Sequence, residues 1–258
     1  MIALEFIGFY LFILIFGYLV PAGSFYYWYH VRHDPKLSAL RIQQRQPVVG
    51  QIRRECRLSL ITVLIFAVMA TAVFQLYKAG HTKIYLRIGE RPLFYLPISF
   101  AISLVVHDTY FYWTHRLMHW PRIFKYVHLG HHRSITPTPW AIYAFQPLEA
   151  VIQFTSVALI VIFVPLHPLA LLAFLCWDTM VNTAGHTGYE MVPRSVSSHR
   201  FFKWFNTVTH HDDHHTNTRV NFGVFFNIWD RCMGTFQGDE SRKSGTSVPR
   251  PNQQLSAR

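Results

Sequence analysis

The chain has 258 residues, 51% of them hydrophobic, with 24 Lys+Arg, 13 Asp+Glu and 16 His. An apolar content that high excludes a disordered chain, and three Cys exclude a disulfide-dense scaffold. The net charge of +11 sits in the segments between apolar runs, so it reads as membrane topology and not as a nucleic-acid surface.

The first apolar run, residues 4–20, carries only Glu5 at its edge. It lacks a basic start and a convincing small-residue cleavage site, so it is read as a retained helix and not as a signal peptide. A loop follows with seven cations: Arg32, Lys36, Arg41, Arg45, Arg53, Arg54 and Arg57. The second run, 58–77, has no charge and is as long as the roughly 20 residues a span needs. The third, 93–106, leads directly into His107 and Asp108. The fourth, 151–177, is broken by Pro165, His167 and Pro168. Prolines remove backbone donors and restrict the residue before them, so two short helices are expected, 150–164 and 169–181. Each is about 20–22 Å long at 1.5 Å per residue, short of a hydrocarbon core of about 30 Å. A re-entrant hairpin and a thin spanning pair both fit.

Orientation follows from counting cations. The first loop and the segment after Asn182, which holds nine Lys and Arg, are assigned to the cytosol. The third run then returns the chain to that side. The expected fold is an all-α integral membrane protein with about four transmembrane helices, the last two a short hairpin. A cytosolic, helical, His-rich metal-binding cap covers it. The expected organisation is 1–92 for the first helices and basic loop, 93–237 for the unit that carries the histidine groups, and 238–258 for a disordered tail.

Thirteen of the 16 His lie between His107 and His215. Three groups have ligand-like spacing: His115 with His119; His128, His131 and His132; and His211, His214 and His215. His186 stands apart. Residues three or four apart on a helix share a face, whereas neighbours are turned by about 100°. One turn carrying His-x-x-His-His therefore faces two metals side by side. The groups and His186 sum to nine imidazoles, more than the four ligands of one structural zinc. Two metals with four or five His each fit the count. Imidazole suits Fe, Zn, Cu and Ni. The His-Glu-x-x-His of a metalloprotease and the Glu-x-x-His pairs of a carboxylate-rich di-iron bundle are absent. His30, His33, His81 and His199 are read as ordinary residues and His167 as a turn residue. His107, two turns before His115, and His210 are candidates for an extra ligand or a supporting contact. Asp108, Asp212, Asp213, Asp230, Glu149 and Glu190 are candidates to orient ligands.

These motifs resemble those of the sterol desaturase / fatty acid hydroxylase superfamily of membrane di-iron enzymes. The likeness is carried by His107-Asp-Thr-Tyr-Phe-Tyr-Trp-Thr-His115-Arg-Leu-Met-His119, by His128-Leu-Gly-His131-His132, and by Pro147-Leu-Glu149. It continues through Asn182-Thr-Ala-Gly-His186, His211-Asp-Asp-His214-His215, Asn221-Phe-Gly223 and Trp229-Asp230-Arg-Cys-Met-Gly234. The resemblance spans roughly 93–236. It implies two iron ions, for which zinc can substitute in purified protein, held by His115, His119, His128, His131, His132, His186, His211, His214 and His215. It implies O2 as co-substrate and hydroxylation or desaturation of a sterol, fatty acyl or related lipid. Where some relatives carry His-x-x-x-His, this chain has Asn182 and His186, so Asn182 is a candidate for a water-mediated metal contact. Gln146 stands where a His is frequent. No cytochrome b5-like or flavin-binding segment is visible, so a separate cytochrome b5-like or ferredoxin-like electron donor is expected. The expected location is the bacterial inner membrane or the endoplasmic reticulum, multi-pass, with the His-rich face cytosolic. An apolar slot between the 150–181 hairpin and the third helix is expected to receive the lipid. No oligomeric state is implied. The competing reading is a histidine-rich membrane metal transporter or metal-binding protein without redox catalysis. It would place ligands along the spans, whereas these groups lie past their ends.

Overall fold

The first apolar run folds as one 30-residue helix, α1 (Ile2–Val31), in a computed structural model that describes residues 1–32 and 34–238. The tail from 239 onward and His33 lie outside the described residues. Pro21 has no N–H to give the preceding turn, and the ladder shifts to π-type pairing over Ile13–Leu19 just before it. α2 (Gln51–Lys78) follows the basic loop. Its N-cap, Gly50, has φ of 79°, a left-handed conformation that costs glycine nothing. These two helices are long and apolar enough to cross a membrane. Only 6% of the α1 apolar window is buried, which leaves Leu4, Leu11, Phe16 and Val20 facing outward. An apolar face of that extent needs lipid or protein against it.

The inner face of α2 is polar over its first three turns. Gln51, Glu55, Ser59 and Thr62 recur every three or four residues and are all buried. Gln51 donates to Glu55 (2.8 Å) and to the Thr136 carbonyl (2.7 Å), and the Thr138 hydroxyl donates to Glu55. These bonds pin the 134–140 segment, which follows the second His group, to α2.

α3 (Tyr95–Met118) continues the third apolar run without a break into the first His group. Two short helices, α4 (Pro121–Val127) and α5 (Leu129–His132), carry the chain through the second. α6 (Pro147–Phe163) and α7 (Pro168–Gly185) are the expected pair with the expected break between them. Both begin earlier than the apolar pattern, because Pro147 and Pro168 occupy the first turn, where a missing N–H leaves no bond unmade. His167 is indeed a turn residue and accepts from the Leu169 N–H (3.2 Å) at the start of α7. α8 (Val208–Thr216) carries the third His group. Among the described residues there is no named strand, only isolated bridges such as Arg41 with Tyr189.

One apolar core joins α3, α6 and α7 through Leu104, Ile160, Val161, Ala170 and Phe174, and is closed by Phe225. A second joins α1 and α2 to the 142–143 segment through Tyr18, Ala22, Val63, Ile142 and Tyr143. Fully burying such side chains contributes roughly 1.5–3 kcal/mol each. The two cores fix the helix ends that hold the histidines.

Candidate metal centre

α3 presents His115 on its last turn and His119 at its C-cap, four residues apart on one face. His128 caps α5, whose single turn presents His131 and His132. His186 follows the last residue of α7, and α8 presents His211, His214 and His215. The nine gather into two groups. His115, His119, His128, His132 and His214 form the first; His131, His186, His211 and His215 form the second. Within each group the facing side-chain nitrogens all lie within 4.8 Å of one another.

The split follows the 100° turn between neighbouring helical residues. His128 and His132 share the first group while His131 points into the second. His211 and His215 share the second while His214 points into the first. Each group thus draws on both tandem motifs, and the two groups cannot be built independently.

In the first group Nε2 of His115 lies 2.9 Å from Nε2 of His128 and 3.3 Å from that of His119, and His132 and His214 are 3.1 Å apart. In the second, Nε2 of His211 lies 3.2 Å from that of His186 and 3.1 Å from that of His215. Two nitrogens each about 2.1 Å from one ion, at roughly a right angle, would be about 3 Å apart. The remaining ring nitrogens explain why the lone pairs converge. Nδ1 of His115 donates to the Phe222 carbonyl (2.8 Å), and that of His214 to the Val220 carbonyl (2.7 Å). Nδ1 of His186 donates to the Asn182 carbonyl (2.6 Å), and that of His128 to Glu149 (2.6 Å). With the proton on Nδ1, each Nε2 offers a lone pair to its group. Lone pairs facing one another in a buried site repel unless a cation lies between them, so the donor set fits a metal in each group. Phe222 also lays its ring against His115, His119 and His214, with centroids 5.2–5.7 Å away, and closes that side to water.

Burial first, then the neighbouring imidazoles, holds His128, His131, His132, His211, His214 and His215 well below the ordinary histidine range. In the unfolded chain the same rings take up protons near pH 6.5. The unfolded state therefore binds more protons below that pH, and stability is lost as the pH falls through it. Chelator-treated protein is expected to melt at a lower temperature at pH 5.5 than at pH 7.5. A melting temperature unchanged between those values would contradict the burial of these rings.

The other candidates lie elsewhere. His107 bonds Ser156 (3.0 Å), sits 3.4 Å from Asp178, and belongs to neither group. Asp108 accepts from the Phe225 and Phe226 N–H groups, and Asp230 from those of Phe222 and Gly223. Both acids thus act one step farther out, holding the 220–226 loop whose carbonyls orient His115 and His214. A Cβ at Gly223 would meet the Phe226 carbonyl at 2.3 Å, so only glycine fits that loop. Asp212 accepts from Gln43 (3.0 Å), Glu190 from the Thr209 N–H (2.9 Å), and His210 caps α8 through the Thr207 N–H (3.1 Å). The Asn182 side chain donates to Asp178, and it is the backbone carbonyl of Asn182 that meets His186. Glu149 contacts one of the nine histidines directly, His128, at 2.6 Å. Gln146 accepts from the Gly130 N–H (2.8 Å) and so steadies α5. The carbonyls of Val220, Phe222 and Asn182 carry no signal in a sequence, since every residue has one.

A cavity of about 370 Å³ opens beside the second group. Trp177, Val181, Phe202 and Phe225 line it, and His211 lies in its wall. It lies along α7 and the 191–208 segment. The expected slot against α3 is instead filled by packed side chains, among them Leu104, Phe174 and Phe225.

The fatty acid hydroxylase family model matches residues 100–235. Lathosterol oxidase of Homo sapiens is 30% identical over 194 residues, which cover 74% of this chain and 63% of that protein. A Delta(7)-sterol 5(6)-desaturase of Gibberella zeae is 30% identical over 227 residues, 85% of this chain and 64% of its own. The Delta(7)-sterol 5(6)-desaturase of Candida glabrata is 27% identical over 193 residues, 74% of this chain and 51% of its own. The chain therefore spans less than two thirds of the length of these relatives. No solved structure matches it.

Proposed function

Because this chain belongs to the fatty acid hydroxylase family, we propose that it is a membrane oxidoreductase that hydroxylates or desaturates a lipid, using O2 and electrons from a separate protein. The observation that carries the reading is the convergence of nine imidazoles into two adjoining groups with their Nε2 lone pairs facing inward. The nine would hold two irons, one within each group. Iron held there would supply the activation of O2 that attack on an unactivated C–H bond requires. The protein's own part is to fix the His115, His128, His186 and His214 rings through Nδ1, keep water from the buried site, and bring one C–H bond to it. The four-His group is the one the substrate approaches, since His211 lies in the wall of the apolar cavity.

The exposed face of α7, with Leu169, Leu172, Trp177 and Met180, gives the cavity an apolar approach from the bilayer. α3 and the α6–α7 hairpin complete four membrane-embedded elements, residues 93–237 form the catalytic unit, and the His-rich end faces the cytosol. The relatives named as sterol desaturases and oxidases favour redox catalysis on a sterol or similar lipid over metal transport.

Lipid extracts of cells with and without the protein, grown with iron and air, test the reading. A new hydroxyl or double bond is expected, absent without O2. Val192→Trp narrows the cavity and is expected to raise KM about tenfold at unchanged metal content. Identical extracts from both cultures, with donor protein and iron supplied, would overturn the assignment.

A further inference from the structure

A second cavity, of about 280 Å³, lies on the opposite side of α5 from the histidines. Arg54, Arg57, Lys125 and Arg133 line it together with Leu58 and Ile61. We propose that it holds the phosphate headgroup of an anionic membrane lipid, whose acyl chain runs down α2. Nothing in the proposed reaction uses this site.

Charge is the first argument. Among the described residues, no carboxylate lies within 4.0 Å of any of these four cations. Glu55, on the inner face of α2, acts on Arg54 alone, and like charges converging on one cavity repel unless an anion joins them. Arg54 is already fixed, donating to the Arg133 carbonyl (3.0 Å) and the Ser134 hydroxyl (3.3 Å). A held guanidinium loses little freedom when it takes a phosphate oxygen.

Shape is the second. Residues 54, 57, 58 and 61 are spaced three and four apart, so they form one stripe on α2. The stripe is cationic for its first turn and apolar afterward. It continues through Leu64 and Val68, which with Ile61 are exposed along the membrane-crossing part of the helix. Cations above an outward apolar stripe match a phospholipid, charged at one end and apolar for the rest. A free phosphate would use only the cations. An acidic protein surface would leave the apolar stripe uncovered.

The full chain, purified in a neutral detergent, is titrated with dioleoyl phosphatidylglycerol, dioleoyl phosphatidylcholine or inorganic phosphate. Bound lipid is read by native mass spectrometry. Phosphatidylglycerol is expected to bind at least tenfold more tightly than phosphatidylcholine, and millimolar phosphate not to compete. Arg57→Gln with Lys125→Gln is expected to weaken phosphatidylglycerol about thirtyfold. Arg194→Gln with Arg200→Gln, which removes two exposed cations elsewhere, should not. Metal content is measured in every variant and should stay constant, which separates this site from the metal centre. Equal binding of the two lipids, full competition by phosphate, or indifference to the double substitution would each overturn the proposal. So would a loss confined to electron transfer from an acidic donor, which would assign the cations to a protein partner.

Discussion

His131→Ala and His132→Ala, one residue apart, are expected to empty different metal sites. Each purified variant should hold about one iron per chain instead of two, and each should lose product formation by at least about a hundredfold. The reason is the helical turn: His131 faces His186, His211 and His215, while His132 faces His115, His119, His128 and His214. The double substitutions distinguish this from general damage to α5. His131→Ala combined with His211→Ala removes two ligands of the same group and should still leave about one iron. His131→Ala combined with His132→Ala should leave none. Membrane insertion is the control, since neither ring belongs to the apolar cores. Two irons retained in either single variant would sink the partition. A chain holding one iron in both single variants and also in the double would mean that the two residues serve one site.

The pattern behind that partition was legible in the sequence because it is local. Spacings of three and four within His128–His132 and His211–His215 determine which rings share a face once a turn of helix forms. The proline break at Pro165–Pro168 and the apolar runs of α1 and α2 are local signals too. What the sequence hid is long-range. His115 and the Phe222 carbonyl are 107 residues apart, and Asp108 and the Phe225 N–H are 117 apart. Reading Asp108 and Asp230 as direct partners of the ligands placed them one contact too close. Their bonds go to the loop, and the loop's carbonyls go to the rings. The cavity was misplaced for a similar reason: apolar character says that α3 is buried or lipid-facing, not that Phe174 and Phe225 fill the space beside it.

Glu149→Gln is expected to lower metal affinity in the five-His group alone. Glu149 is fully buried on the first turn of α6, where the helix N-terminus favours a carboxylate. One oxygen accepts a hydrogen bond from the His128 Nδ1–H at 2.6 Å, and among the described residues the other has no hydrogen-bond partner. A carboxylate in this position fixes the tautomer and makes Nε2 a stronger donor, and removing such a contact costs about 10–100-fold in metal affinity or activity. Glutamine keeps the volume but brings no charge, and if its amide N–H₂ turns toward Nδ1 it meets another donor. The fold should survive, because the change opens no cavity. Chelator competition on the purified variant should therefore show one iron released 10–100-fold more readily and the other held as in the parent. Activity should recover partly at high free iron, which a merely structural lesion would not allow. Glu149→Ala, which opens a buried void as well, should lose the same iron and also melt earlier, by about 1–3 kcal/mol of stability. Parental affinity for both irons in Glu149→Gln would show that His128 needs no carboxylate to bind its metal.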